Sequence, residues 1–158
     1  MDISIRRATE SDIDIVQEFG SKLLNFEREN YDSSLDKNWA LSEEAKQKYL
    51  AAINNQYVLI AEVSGQPVGF LIASVSVPKA GNARPIKQAY LQNIFVEEKM
   101  RSTGVGGKLL EELKAYCKSE AVTRLGVSVL AANKAAVDFY KKTGFKERSI
   151  NLAMEFSS

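Results

Sequence analysis

The 158-residue chain has no histidine and only one cysteine, Cys117. The lack of histidine excludes the Ser-His-Asp and Cys-His nucleophile systems. A zinc site would be left with one thiolate and carboxylates, so no metal is expected. Any proton transfer falls to Asp, Glu, Tyr, Lys, water or backbone groups. A single cysteine cannot close an internal disulfide, which fits a reducing, cytoplasmic setting. Apolar runs are only a few residues long, too short for a membrane span. The opening residues Met1-Asp2-Ile3-Ser4 lack the basic-then-apolar pattern of a secretory leader. What is present is ordinary globular composition, with 45% hydrophobic and 26% charged residues, at a length that suits a single domain over 1–158.

The net charge of +1 conceals a segregation of sign. Residues 10–44 carry ten acids and three bases, whereas residues 79–149 carry fourteen bases and seven acids. Two walls of opposite sign would suit two unlike ligands, one cationic and one anionic. The plainer account is that helices carry solvated charges. The basic residues are scattered over helix, turn and strand with no recognised module, so no nucleic-acid partner is expected.

The pattern along the chain predicts a mixed α/β domain in the order β-α-α-β-β-β-α-β-α-β-β. Ile3 and Ile5 alternate with polar neighbours in a first strand, 3–7. Thr9 and Asp12 fit a capping box opening a helix to about residue 30. Its apolar face is Ile13, Val16, Phe19, Leu23 and Phe26. After a polar loop, Ser42 opens a second helix with Ala45, Tyr49 and Ile53 on one face. Tyr57–Val63 and Val68–Val77 read as a hairpin about the Ser64-Gly65 turn. Pro78 to Pro85 reads as a loop, and Gln88–Val96 as the next strand. A helix follows Gly104–Gly107, with Leu109, Leu113 and Tyr116 at core positions. Leu125–Val129 is then a strand. Asn133–Lys142 is a short helix, stopped by Gly144. Phe145–Glu147 and Ile150–Phe156 read as closing strands.

The informative stretch runs from Phe95 to Leu110: a strand, a glycine-rich turn and a helix start. Backbone N–H groups at a helix N-terminus favour an anion, and glycines allow close approach. Arg101 and Lys108 add positive charge. A phosphate-bearing ligand is therefore expected. A Walker A loop fails, because Ser102 stands at its first glycine and Leu109 at its Ser/Thr. A dinucleotide fingerprint beginning at Gly104 fails because Leu109 replaces its third glycine.

The pattern that does fit is [QR]-x-x-G-x-[GA], as Arg101-Ser102-Thr103-Gly104-Val105-Gly106. It resembles the acyl-CoA-binding motif of the GNAT superfamily of N-acetyltransferases. Further on, Asn133-Lys134-Ala135-Ala136-Val137-Asp138-Phe139-Tyr140-Lys141-Lys142-Thr143-Gly144-Phe145 resembles that superfamily's second signature, N-x-x-A-x-x-[FL]-Y-x-x-x-G-F. Val68-Gly69-Phe70 and Ile5-Arg6-Arg7-Ala8-Thr9 are also similar to its members. The resemblance spans essentially the whole chain. It implies a mostly antiparallel sheet flanked by helices, with strands splayed at the acyl-CoA site.

For the site, the resemblance implies that acetyl-CoA is the cosubstrate, its pyrophosphate lying on Arg101, Ser102, Thr103, Gly104, Val105 and Gly106, with Gly107 and Lys108 beginning the helix. Ile94, Phe95 and Val96 would offer backbone groups to the pantetheine arm, with Val96 nearest the acetyl carbonyl. Asn133 would meet the pantetheine, and the Tyr140 hydroxyl would protonate the departing thiolate. An amine then attacks the thioester directly, so no protein nucleophile is needed. Cys117 reads as a packed small hydrophobe.

The amine arrives protonated, with a pKa of ~10, and something must take its proton. Relatives often carry a Glu on the strand before the turn, but here Tyr90-Leu91-Gln92-Asn93-Ile94-Phe95 holds no acid. Glu97 and Glu98 are expected to face solvent. Glu27, near the end of the first helix, is the first carboxylate candidate for the base, ahead of Glu29 and Asp32. A water chain touching Tyr90, Gln92 or Asn93 stands as an equal alternative. The acidic segment with Phe26, Tyr31 and Trp39 suggests a cationic amine acceptor, either a small molecule or a peptide. The rival reading is a non-catalytic acyl-CoA-binding regulatory module. The resemblance also implies a homodimer through the last strands.

Overall fold

The computed structural model describes residues 1–77, 81 and 85–157. Its contacts divide the chain into two compact units, Met1–Ser128 and Val129–Ser158.

The first unit is built on a five-stranded sheet in the order β1-β2-β3-β4-β5. The strands are β1 (Ile3–Arg7), β2 (Tyr57–Val63), β3 (Gln66–Ser76), β4 (Gln88–Val96) and β5 (Arg124–Val127). All neighbours are antiparallel except β4 and β5, which run parallel. Three helices accompany them: α1 (Ile13–Asn30), α2 (Glu43–Asn55) and α3 (Val105–Ser119). The expected loop over Pro78–Pro85 falls largely outside the described residues.

β2 is apolar without alternation because both faces of the sheet are covered. On one face α1 and α2 bury Val16, Phe19, Ala45, Tyr49 and Ile53 against Val58, Ile60, Phe70, Ile72 and Phe95. The α3 helix buries Val105, Leu109, Leu110, Leu113 and Cys117 and packs on β1, β2, β3 and β4. Burial also pushes the Cys117 thiol up, as suits a packed hydrophobe.

The start of α1 is anchored by charge. Asp12 accepts from the Thr9 amide at 2.8 Å, the acidic half of the expected capping box. A 3₁₀ turn over Glu10–Asp12 precedes the helix proper. The Arg6 guanidinium grips Asp12 with two bonds, 2.9 and 2.8 Å, and reaches Glu62 on β2 at 2.8 Å. Ser42 caps α2 by accepting from the Ala45 amide.

In β4 a bulge reverses the faces. Phe95 pairs with Phe70 and Asn93 with Ile72, yet Ala73 pairs with Leu91, leaving Gln92 as the extra residue. Leu91 therefore faces the α3 side and Phe95 the α1 side, although both are odd-numbered. β3 can lie close at this point because residue 69 is glycine. A Cβ there would stand 2.6 Å from the Phe95 carbonyl oxygen.

In the second unit, α4 (Lys134–Lys142) is the one regular element among the described residues. Here the structure corrects the sequence reading: Phe145–Glu147 and Ile150–Phe156 are not strands. Ile150, Leu152, Met154 and Phe156 are 76–87% exposed. Two-residue alternation marks a face that calls for cover, but a strand also needs a neighbour for its backbone groups. Residues 146–157 have none among the described residues. β5 is also shorter than expected, ending at Val127 rather than Val129.

Arg6's hydrogen bonds hold the Asp12 carboxyl below its ordinary range, and the Thr9 amide assists. This stabilisation is complete above the unfolded carboxyl pKa of ~3.9 and is lost as pH falls through the lower folded value. Asp12→Asn should therefore cost about 1.5–3 kcal/mol at pH 7. The deficit should shrink below pH 3 in urea unfolding, as the wild type loses the same bonds.

Candidate functional site

The site in the first unit begins where two strands part. β5 pairs with β4 only over Gln88–Leu91. β4 continues to Val96, held by β3 on one side, while its other edge has no strand partner from Gln92 onward among the described residues. The bulge at Gln92 marks the point of parting, and the Ile94–Val96 stretch offers backbone groups on the open side. Ile94 and Val96 are half-buried and Phe95 is buried.

Beyond Val96 the chain makes a short 3₁₀ turn, Glu98–Met100, then a tight turn into α3. Ser102 (φ +61°) and Gly104 (φ +96°) both adopt left-handed backbone. Thr103 Oγ1 donates to the Met100 carbonyl. The first backbone bond of α3 runs from the Lys108 N–H to the Gly104 carbonyl. The N–H groups of Val105, Gly106 and Gly107 are thus left without an intrahelical acceptor, at the positive end of a 15-residue helix. This is an arrangement for an anion.

The two cations of the turn are otherwise engaged. Lys108 Nζ donates to the Ile3 carbonyl on β1 at 3.2 Å. Arg101 Nε donates to the Val96 carbonyl at 3.1 Å, and its guanidinium lies 5.1 Å from the Phe26 ring centre and 5.9 Å from that of Phe95. The Arg101 amide bonds to the Glu98 carbonyl. Glu97 departs from the sequence reading: it is half-buried and ion-paired with Lys22, which also holds Glu18 at 2.8 Å. No spacing rule relates Lys22 to Glu97 or Arg101 to Phe26, so sequence reasoning missed both contacts.

The second half of α1 is only half-buried, from Ser21 to Arg28. Phe26 meets Tyr31 edge-on, 5.8 Å between centres. Trp39 packs instead on the core beside Tyr49. The Glu27 carboxylate has no hydrogen-bond or ion-pair partner among the described residues, although its backbone carbonyl accepts from the Tyr31 and Asp32 amides. Burial raises its carboxyl above the ordinary range, and the negative charge of Asp32 adds to the effect. Asp32 is itself held low by the Ser34 hydroxyl and amide. Glu29 is exposed, and Gln92 is tied to Ser74 at 3.4 Å.

Asn133 and Tyr140 lie in the second unit, at the two ends of α4. Asn133 caps the helix, its side-chain oxygen accepting from the Ala136 amide at 3.1 Å. What it can offer a ligand is its NH₂ group. At the other end the Phe145 N–H bonds to the Tyr140 carbonyl and the Gly144 N–H to that of Lys141, with Gly144 at φ +109°. That is a Schellman stop, and its apolar contact is Tyr140 against Phe145, ring centres 5.4 Å apart. The second signature is thus the grammar of one helix, from N-cap asparagine to the residues that close it. Tyr140 is buried, with Phe139 and Phe145 around its ring.

A family model, that of the GNAT acetyltransferases, matches residues 21–145. An uncharacterised N-acetyltransferase of Methanocaldococcus jannaschii is 27% identical over 148 residues, covering 93% of this chain and 62% of that protein. The chain thus spans under two thirds of that relative. A solved mutant protein of Bacillus halodurans has a TM-score of 0.88 at 18% identity, covering 98% of this chain and 99% of the other. An aminoglycoside N-acetyltransferase in complex with CoA has a TM-score of 0.72 at 15% identity, covering 99% and 96%. The two solved structures share the fold. The sheet, its parted strands and the family match together make this chain a member of the GNAT acetyltransferase family.

A side chain at position 104 would have ample room, since a Cβ there meets nothing within 4 Å. Its cost would be purely conformational, about 1–2 kcal/mol for a left-handed non-glycine residue. Gly104→Ala should lower the urea midpoint accordingly without changing the slope.

Proposed function

We propose that the protein transfers an acetyl group from acetyl-CoA to a cationic primary amine. The observation that carries this reading is the conjunction, in one unit, of unsatisfied amides at the start of α3 with the open edge of β4 beyond Leu91. The first suits a pyrophosphate and the second an amide-bearing pantetheine chain. The amides of Ser102 to Gly107 would hold the phosphates, and Ile94–Val96 would hold the arm. The Asn133 NH₂ would donate to the pantetheine.

In the reaction the amine nitrogen forms a bond to the thioester carbonyl carbon. A backbone N–H near Val96 stabilises the oxyanion. The C–S bond then breaks, and the Tyr140 hydroxyl gives its proton to the leaving thiolate. Glu27 takes one proton from the substrate ammonium before attack, freeing the nitrogen lone pair, and its raised pKa makes the carboxylate a stronger base. The second N–H proton, made acidic by bond formation, returns to the Tyr140 phenolate. Substrate choice follows from Glu27 beside the Phe26–Tyr31 wall, an anionic group next to an apolar face. The aminoglycoside acetyltransferase of like fold acts on amines of this charge class.

Turnover is measured as release of free CoA thiol, with acetyl-CoA and a panel of amines and peptides. Tyr140→Phe should lower kcat by roughly 10²–10⁴-fold. Wild-type kcat/KM should rise with pH through the raised Glu27 pKa, because only the carboxylate can accept the proton. Glu27→Gln should remove that limb. Acetyl-CoA binding without turnover across the panel would instead favour a regulatory module, and turnover only with neutral or anionic acceptors would overturn the substrate class.

We also propose a homodimer covered in part by the row Ile150, Leu152, Met154 and Phe156. An exposed apolar row of this length calls for a partner. Leu152→Lys with Phe156→Lys should convert a dimer to a monomer in light scattering. A monomeric wild type would refute the dimer.

A further inference from the structure

We propose that the Arg101 side chain is a positioning residue for the amine side of the reaction, not a ligand of the phosphates; this rests on the N-acetyltransferase reading above. The motif places Arg101 at the head of the anion turn, where a guanidinium is readily taken for a phosphate contact. Its Nε is instead occupied by the Val96 carbonyl, and its plane lies by the rings of Phe26 and Phe95. The side chain is committed to the end of β4 and to α1.

A second clasp joins the same two elements. Lys22 and Phe26 stand four residues apart, on one face of α1. Lys22 binds Glu97, the residue after Val96, while Phe26 meets Arg101. Phe26 also fixes Tyr31 edge-on and is the immediate neighbour of Glu27. The two clasps therefore set where the half-buried second half of α1 sits against the end of β4. Through Phe26, Arg101 holds the aromatic wall and the base at a defined distance from the turn. Lysine cannot replace it, since an ammonium lacks the planar fork that donates to a carbonyl while lying against a ring.

The test compares Arg101→Ala, Arg101→Lys and Phe26→Leu. CoA affinity is read by calorimetry, and KM, kcat and the pH profile with an amine from the panel. In Arg101→Ala and Phe26→Leu the amine KM should rise on the order of tenfold and the acidic limb should move. The CoA dissociation constant of Arg101→Ala should shift by less than about threefold, because backbone amides bear the phosphates. Arg101→Lys should recover little of the amine KM. A rise of about tenfold or more in the CoA constant with an unchanged amine KM would make Arg101 a phosphate ligand and overturn the proposal. So would an unchanged amine KM in both Arg101→Ala and Phe26→Leu. The clasp has its own readout in the wild-type Arg101 Nε–H resonance. That signal should be ring-shifted and slow to exchange, and it should lose the shift in Phe26→Leu; an unshifted, fast-exchanging signal would overturn the clasp. A wild type that binds no CoA and acetylates no amine would defeat the enzymatic reading while leaving this resonance to report on the clasp.

Discussion

The parting of β4 from β5 after Leu91 governs the rest of the first unit. A strand left without its neighbour exposes N–H and C=O groups that must find another partner. The bulge at Gln92 makes the departure possible by inserting one residue. It also turns Phe95 toward α1, where its ring meets Phe19 at 5.4 Å. The same strand end thus packs a core with its side chain and has no strand beside its outer edge among the described residues, where the Val96 carbonyl accepts from Arg101. Gly69 allows β3 to stay close on the other side.

Charge segregation has a largely local explanation. Of the acids in residues 10–44, Asp12 serves Arg6, Glu18 serves Lys22, Glu10 serves Asn54, and Glu43 and Glu44 serve Gln47 and Lys48 along α2. Asp32 and Asp36 bind amides of their own loop. Glu27 stands apart because it is half-buried and its carboxylate has no such partner among the described residues. A regional excess of acid therefore says little about a ligand until its members are assigned one by one. The same holds for the basic half, where Lys108 and Arg101 bind carbonyl oxygens of the chain itself.

Several elements follow from local signals. Ser42 before an apolar-periodic run gave a capped helix, and Ser64-Gly65 between two apolar runs gave a hairpin. The glycine turn opened a helix at Val105 because Gly104 must be left-handed there. Asn133 and Gly144 bounded α4 for equally local reasons. The closing segment is not a strand in the structure, because the alternation of Ile150, Leu152, Met154 and Phe156 describes a face and not the neighbour that would make it a strand. The half-buried ion pair of Glu97 is invisible in the sequence because its partner, Lys22, lies 75 residues away.

The sequence by itself determined the caps, the turns, the helix faces and the anion-binding turn. Each of these depends on φ/ψ preferences and periodicities within a few residues. Tertiary structure alone decided where β5 leaves β4, which ring Arg101 lies against, and which carboxylate is half-buried without a partner. These are properties of surfaces brought together from distant segments, and burial and charge pairing are set only when that packing is complete.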